Sequence, residues 1–271
     1  MIASKYNVYF LIAKNQFLKI LENPVVLLVG TILLILSYLN GAGGYVNLQS
    51  CEFTGADMFL QGYAQTHYSF ILICSVMASF IGVTSISEER WTKSINVLLV
   101  KPLYRRDVIL GKFIGISMFM LLFISTILLF ETLMLTLFFR PPLDVMGLVW
   151  RLILYILALT LTCTMETVIS MLCGIIFKNY LGSISVVITY LTFEWYWYRV
   201  AFFSKIPFIT PYTVYSKIIN STGTFPAGIF NTTVPLYSWL SSALPYLTLL
   251  TLSVLALLII DCFAVSRIDS Y

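Results

Sequence analysis

Histidine occurs once in the 271 residues, at His67, and charged residues make up only 10% of the chain. One histidine cannot supply a His-based metal cluster, a zinc-protease helix or a Ser-His-Asp set. The phosphate loop G-x-x-x-x-G-K-[ST] is missing too, so any ATP this protein uses binds another chain. Of five cysteines, Cys51 alone falls in an expected outer loop, while Cys74, Cys163, Cys173 and Cys262 lie in apolar stretches. No outer-loop pair exists to build a disulfide framework. Soluble domains carry roughly 25% charge; here the low charge accompanies 59% hydrophobic residues and a mean hydropathy of +0.93. No single core of this size buries so much apolar surface, so lipid must solvate most of the chain.

What is present is a series of long apolar runs. Six spans are expected, at 24–40, 67–87, 112–138, 148–177, 180–200 and 240–264, each able to cross a hydrocarbon core of about 30 Å. They make an all-α membrane protein, with a transmembrane domain over 24–271 preceded by an amphipathic segment over 1–23. In that segment Tyr6, Tyr9, Phe10, Ala13, Phe17, Ile20 and Leu21 share one helical face, and Ser4, Lys5, Lys14, Asn15, Lys19 and Glu22 the other. This pattern predicts a helix lying in the membrane interface. Lysines spread through it, with no small-residue cleavage site, argue against a removable leader. Asn23-Pro24 ends the helix, and Pro24 suits the first position of the next one.

Sidedness follows from the basic residues. With the N-terminus inside, Lys5, Lys14, Lys19, Arg90, Lys93, Lys101, Arg105, Arg106, Lys112, Lys178 and Arg267 are cytoplasmic, against Arg140, Arg151, Arg199, Lys205 and Lys217 outside. Eleven against five is a positive-inside bias, which predicts a multi-pass protein of the plasma membrane with both termini cytoplasmic. Trp195, Tyr196, Trp197 and Tyr198 close the fifth span, either as a headgroup-level anchor or as an aromatic cage for a ligand. The outer segment 201–239 carries Pro207, Pro211, Pro226 and Pro235 and must therefore break into short helices or re-entrant turns. Two N-x-[ST] sequences, at Asn220 and Asn231, weakly favour exposure there.

The sizeable inner segment is Ile86–Lys112, ISEERWTKSINVLLVKPLYRRDVILGK, with its loop proper at 88–112. It places Ile95, Val97, Leu98 and Leu99 between charged ends, and Pro102 stops any helix through them. A purely topogenic loop has no use for such an apolar knob, which must find lipid or a protein groove. The segment strongly resembles the signature of ABC-2-type permeases, I-S-x-E-R-x-x-G-T-L-E-x-L-L-x-x-P-x-S-R-x-x-x-L-G-K. Ile86, Ser87, Glu89, Arg90, Leu98, Leu99, Pro102, Arg105, Leu110, Gly111 and Lys112 match, with one residue more between Arg105 and Leu110 than the pattern has. Lys93, Ser94, Asn96 and Tyr104 depart from it. The resemblance extends to the layout of an amphipathic helix, six spans and a Pro-rich outer segment.

The resemblance implies a permease subunit of an ATP-driven exporter that pairs with a second permease subunit, as a homo- or heterodimer. It also implies separate ABC ATPase subunits that bind ATP and Mg, the chain itself holding no cofactor, metal or nucleic acid. Coupling would run through Glu89, Arg90, Ile95, Val97, Leu98, Leu99, Pro102, Arg105, Arg106, Gly111 and Lys112, because a rigid docked element transmits displacement that a slack loop absorbs. Glu88-Glu89-Arg90 with Lys93 also resembles the paired glutamates of intramembrane CAAX-type proteases, but the further histidines of that chemistry do not exist here.

Glu166 is the other candidate. It lies about 16 Å from the inner end of its span, where an ionised carboxylate needs a partner or a proton. Thr160, Cys163, Thr164, Thr167, Ser170 and Gly174 form a small polar stripe beside it, serving either helix packing or a substrate path. Glu131 and Glu194 are expected nearer the outer surface, where water can relieve them. Gly111 and Gly115 make a G-x-x-x-G step suited to close packing. The rival functions are an ATP-independent secondary transporter or channel, which would need charge networks on several helices or an inverted repeat, and a membrane scaffold or sensor. ATP hydrolysis in the purified complex favours the exporter, ATP-independent flux the secondary transporter, and a bound partner without flux the scaffold.

Overall fold

The computed structural model describes residues 2–49, 58–91, 105–139, 144–177, 179–197, 210–222, 228–231 and 234–267. Its regular elements are helices: α1 (Ile2–Leu21), α2 (Pro24–Gln49), α3 (Met58–Trp91), α4 (Arg105–Phe138), α5 (Val145–Ile176), α6 (Tyr180–Trp197), the short α7 (Pro211–Ile219) and α8 (Leu236–Arg267), with a 3-10 turn at Gly228–Phe230. Pro24 does open α2, and the Asn23 side chain accepts a hydrogen bond from the Val25 amide at 3.0 Å, which separates α1 from α2 without a loop.

Five helices are long and apolar enough to cross a membrane, at Pro24–Gly43, Phe59–Ser87, Arg106–Phe138, Val145–Ile176 and Leu236–Val265. The fifth expected span is α6, whose 18 residues reach about 27 Å at 1.5 Å each. Its Ser, Thr, Tyr and Glu residues dilute its apolar character below that of the other five. α3 begins nine residues before the expected 67 because Phe59, Leu60, Gln61 and Tyr63 are buried against protein, and hydropathy reads lipid contact better than protein contact.

α3 and α5 form the central pair and pack most extensively on each other, α8 lies against α5, and α2 against α4. Outward faces are apolar, as at Leu27 (66% exposed), Leu129 (65%) and Leu252 (65%). α1 does not lie free on a bilayer surface. Its expected apolar face is divided: Ala13 and Ile20 are buried, with Gln16, while Phe10 and Leu21 remain exposed. The buried half packs on α4, where a Cβ added to Gly115 would stand 2.5 Å from the Ala13 carbonyl oxygen and one at Gly111 2.8 Å from Ile12. The G-x-x-x-G step is thus a close-packing site, and its partner is α1.

The Pro-rich outer segment does break into short pieces, α7 and the 3-10 turn. Thr210 caps α7 with a reciprocal capping box to Thr213. Arg151 of α5 donates to the Ile229 carbonyl and, at 2.7 Å, to the Val234 carbonyl, which ties the outer segment to the central pair. Tyr63, Tyr155 and Phe230 fill the space beneath, with Phe230 stacked on Tyr63 at 5.7 Å and edge-on to Tyr155 at 5.0 Å. Asn231 is buried, and the Asn220 amide donates to Tyr68 Oη at 3.1 Å, so neither N-x-[ST] asparagine is freely exposed.

Candidate functional site

The inner end of α4 is a hub. Arg106 lies over the Phe263 ring of α8 at 5.2 Å, Asp107 accepts a hydrogen bond from the Tyr9 hydroxyl of α1 at 2.6 Å, and Lys112 donates to the Ser85 carbonyl of α3. Contacts within the first two turns or so therefore tie α4 to α8, α1 and α3, and Gly111 and Gly115 bring α1 close enough to join. Lys112 is buried at 3% exposure; a lysine is tolerated there because its ammonium meets a carbonyl dipole rather than hydrocarbon. The bond joins the last turns of α3 to the first turns of α4, the two roots of the inner segment.

Of the sequence candidates in that segment, Ile95, Val97, Leu98, Leu99 and Pro102 lie outside the described residues. Glu89 and Arg90 fall in the last turn of α3 and Arg105 opens α4, by backbone alone. Arg106, Gly111 and Lys112 are the candidates that the structure brings together. Tyr9 and Asp107 join them without having been singled out. An Asp in the first turn of a helix reads as dipole compensation, and nothing in the local pattern marks its long-range partner.

The stripe on α5 is the seam with α3. A Cβ on Gly82 would stand 2.7 Å from the Thr167 carbonyl oxygen and 3.0 Å from Ser170 Cβ, so the two backbones approach closely there. Thr164 and Thr167 satisfy their hydroxyls within α5, on Leu161 and Cys163 carbonyls at 2.8 Å each. The Thr160 and Ser170 hydroxyls are buried with no hydrogen-bond partner. Glu166 sits in the middle of the seam at 0% exposure, facing Ser79 of α3 and Glu194 of α6. Neither of its carboxyl oxygens reaches hydrogen-bonding geometry.

Water does not relieve the other two glutamates. Glu131 is wholly buried, and its Oε1 accepts from Thr66 at 2.7 Å and Asn40 at 3.1 Å, knotting α4 to α3 and α2. Asn40 also donates to the Gly62 carbonyl at 3.0 Å. Glu194, 3% exposed, accepts the Tyr212 amide at 2.7 Å and so caps α7 from another helix. Beside it, between α3 and α6 and under Tyr212, is a cavity of about 240 Å³. In α7 itself, burial holds the Tyr215 phenol well above its ordinary range, so it stays a neutral donor, directed at the His67 carbonyl.

Asp261 of α8 escaped the sequence search. It is buried at 0% exposure, and neither carboxyl oxygen has a hydrogen-bond partner. The signal was available: a lone carboxylate inside the apolar run Leu257–Val265 is as costly as Glu166 and calls for the same scrutiny.

Several long apolar helices wrapped round a buried polar seam define a multi-pass membrane protein. The profile of the ABC-2 family transporter proteins matches residues 10–260, and the chain belongs to that family. Its role is accordingly that of the membrane subunit in an ABC transporter. No curated protein sequence matches the chain.

Proposed function

We propose that the chain is the permease half of an ATP-driven exporter of the plasma membrane, paired with a second permease subunit. Separate ATPase subunits, carrying ATP and Mg, dock on the inner segment 88–112. The observation that carries this reading is the hub at the root of α4. A partner pushing on the inner segment moves α3 and α4 together, because Lys112 bonds one to the other. The push then reaches α1 through Tyr9 and the Gly111/Gly115 contact, and α8 through Arg106. Discrete packed elements transmit such a displacement.

In this reading α6 also crosses, as the fifth span, which makes six in all. Both termini are cytoplasmic, and α1 lies in the inner interface with Phe10, Leu11, Leu18 and Leu21 toward lipid. In a cysteine-depleted variant, a probe cysteine at Ser50 or Thr222 reacts with a membrane-impermeant thiol reagent in intact cells, and one at Ser94 does not; labelling at Ser94 alone reverses the orientation. Purification of the solubilised chain from its native membrane tests the function itself. A co-purifying ATPase with vanadate-sensitive hydrolysis is expected, and a chain that purifies alone and supports ATP-independent flux in liposomes belongs to a secondary transporter instead.

A further inference from the structure

The cavity between α3 and α6 opens to the outward face of the bundle, where Val76 is 48% and Tyr196 60% exposed, and its lining is unusual for such a face. Leu72, Val76 and Leu191 supply an apolar floor, Trp195, Tyr196 and Tyr212 supply rings, and the polar groups are Ser75, Thr192 and Glu194, with no Lys, Arg or His among the described lining residues. Trp195 and Tyr212 stand 5.6 Å apart between centroids and tilted 45°, as two walls of a box. Glu166, buried and without a hydrogen-bond partner, is directed from behind at Glu194.

Among the described residues an anion finds little here: the one positive feature is the N-terminus of α7, and its amides are already taken, Thr213 N–H by Thr210 Oγ1 at 3.1 Å and Tyr212 N–H by Glu194 at 2.7 Å. One helix terminus carries roughly half a charge, which offsets part of Glu194 and none of Glu166. A neutral apolar molecule fits the floor but leaves the carboxyl pair, which can share one proton, without a counter-charge for the other. A cation with an apolar body satisfies every wall at once, because aromatic faces attract cations and buried carboxylates need them.

We propose that this cavity binds an amphiphilic monovalent cation of the substituted-ammonium class, with Glu194 as its counter-charge, Glu166 supporting it, and Trp195 and Tyr212 as its aromatic walls. The volume of about 240 Å³ suits an ammonium head with one aryl or short alkyl substituent, and a longer tail would leave through the open side into lipid. Binding rests on the cavity geometry alone; that the bound cation is the transported cargo rests on the permease reading above.

The test uses the full chain in lipid nanodiscs and radiolabelled benzyltrimethylammonium, with neopentylbenzene, its neutral isostere, as competitor at a matched bilayer mole fraction. Saturable binding is expected, weakened at least about tenfold by Glu194→Gln and by Trp195→Leu, and not displaced by the isostere. Glu194→Gln keeps a carbonyl oxygen for the Tyr212 amide, so α7 stays capped. A second measurement needs no variant: dicyclohexylcarbodiimide modifies membrane-buried carboxyls, and peptide mass spectrometry of the wild-type chain should show Glu166 and Glu194 protected by the ammonium and not by the isostere. The proposal is overturned by absent saturable binding, by equal displacement by the isostere, by an undiminished affinity in Glu194→Gln, or by modification that proceeds at the same rate with the cation present. No ATPase enters either measurement, so a failed co-purification test would count against the exporter reading and leave this site standing, and absent cation binding would count against this site and leave the exporter reading standing.

Discussion

Glu131 and Glu166 are buried to the same degree, both at 0% exposure, in neighbouring helices of one bundle. Glu131 accepts two hydrogen bonds on Oε1, from Thr66 and Asn40, and through them joins three helices, while its buried Oε2 has no hydrogen-bond partner. Glu166 holds none and faces a second carboxyl. Burial alone therefore does not say what an intramembrane carboxylate is for; its partners do. A carboxylate whose bonds bridge helices works as a fastener whose loss loosens packing. An orphaned one adds nothing to packing and persists for what it meets during function.

Substitutions can break this comparison at either end, and thermal unfolding in detergent is the common readout. The largest effect is expected where packing is closest: Gly115→Leu drives a side chain into the Ala13 backbone and should cost about 3 kcal/mol, with α1 displaced from α4. Glu131→Ala should cost about 2 kcal/mol, because interhelical hydrogen bonds in membranes average under about 1 kcal/mol each and the Thr66 and Asn40 groups lose their shared acceptor. A Glu131→Ala protein as stable as wild type would remove the fastener role. Tyr9→Phe, which deletes the bond to Asp107, should cost about 1 kcal/mol and lower ATP-driven activity by more than its stability loss explains. Glu166→Gln should shift stability by less than about 0.5 kcal/mol, since no bond is lost, while transport falls. Normal transport in that variant would make Glu166 a packing residue after all.

The fold was largely legible because lipid imposes a simple demand on sequence. Runs of Leu, Ile, Val and Phe mark α2, α4, α5 and α8 to within several residues. Legibility failed where protein, not lipid, is the neighbour. The first turns of α3 contain Gln61 and Thr66 and read as loop, yet they are buried in the Glu131 knot. The stripe beside Glu166 and the G-x-x-x-G step were visible as patterns of small residues, but a one-dimensional spacing cannot name the facing helix. α3 answers the first and α1 the second. Burial was misjudged for Glu131 and Glu194 for the same reason: counting residues from a span end gives height in the membrane and nothing about partners. Lys112 was visible as part of a signature, while its bond to Ser85 required the geometry.

The claim on which the functional reading depends is that force enters through the inner segment and leaves through the α4 hub. Leu98→Asp with Leu99→Asp places two charges on the apolar knob, outside the bilayer, so insertion and folding should be unaffected. Two lost apolar contacts and two desolvated charges should weaken an ATPase complex by several kcal/mol. Co-purification of the ATPase with the double variant measures this directly: the account predicts a correctly inserted chain that has lost its ATPase and its ATP-driven transport, and a double variant that retains both would contradict it.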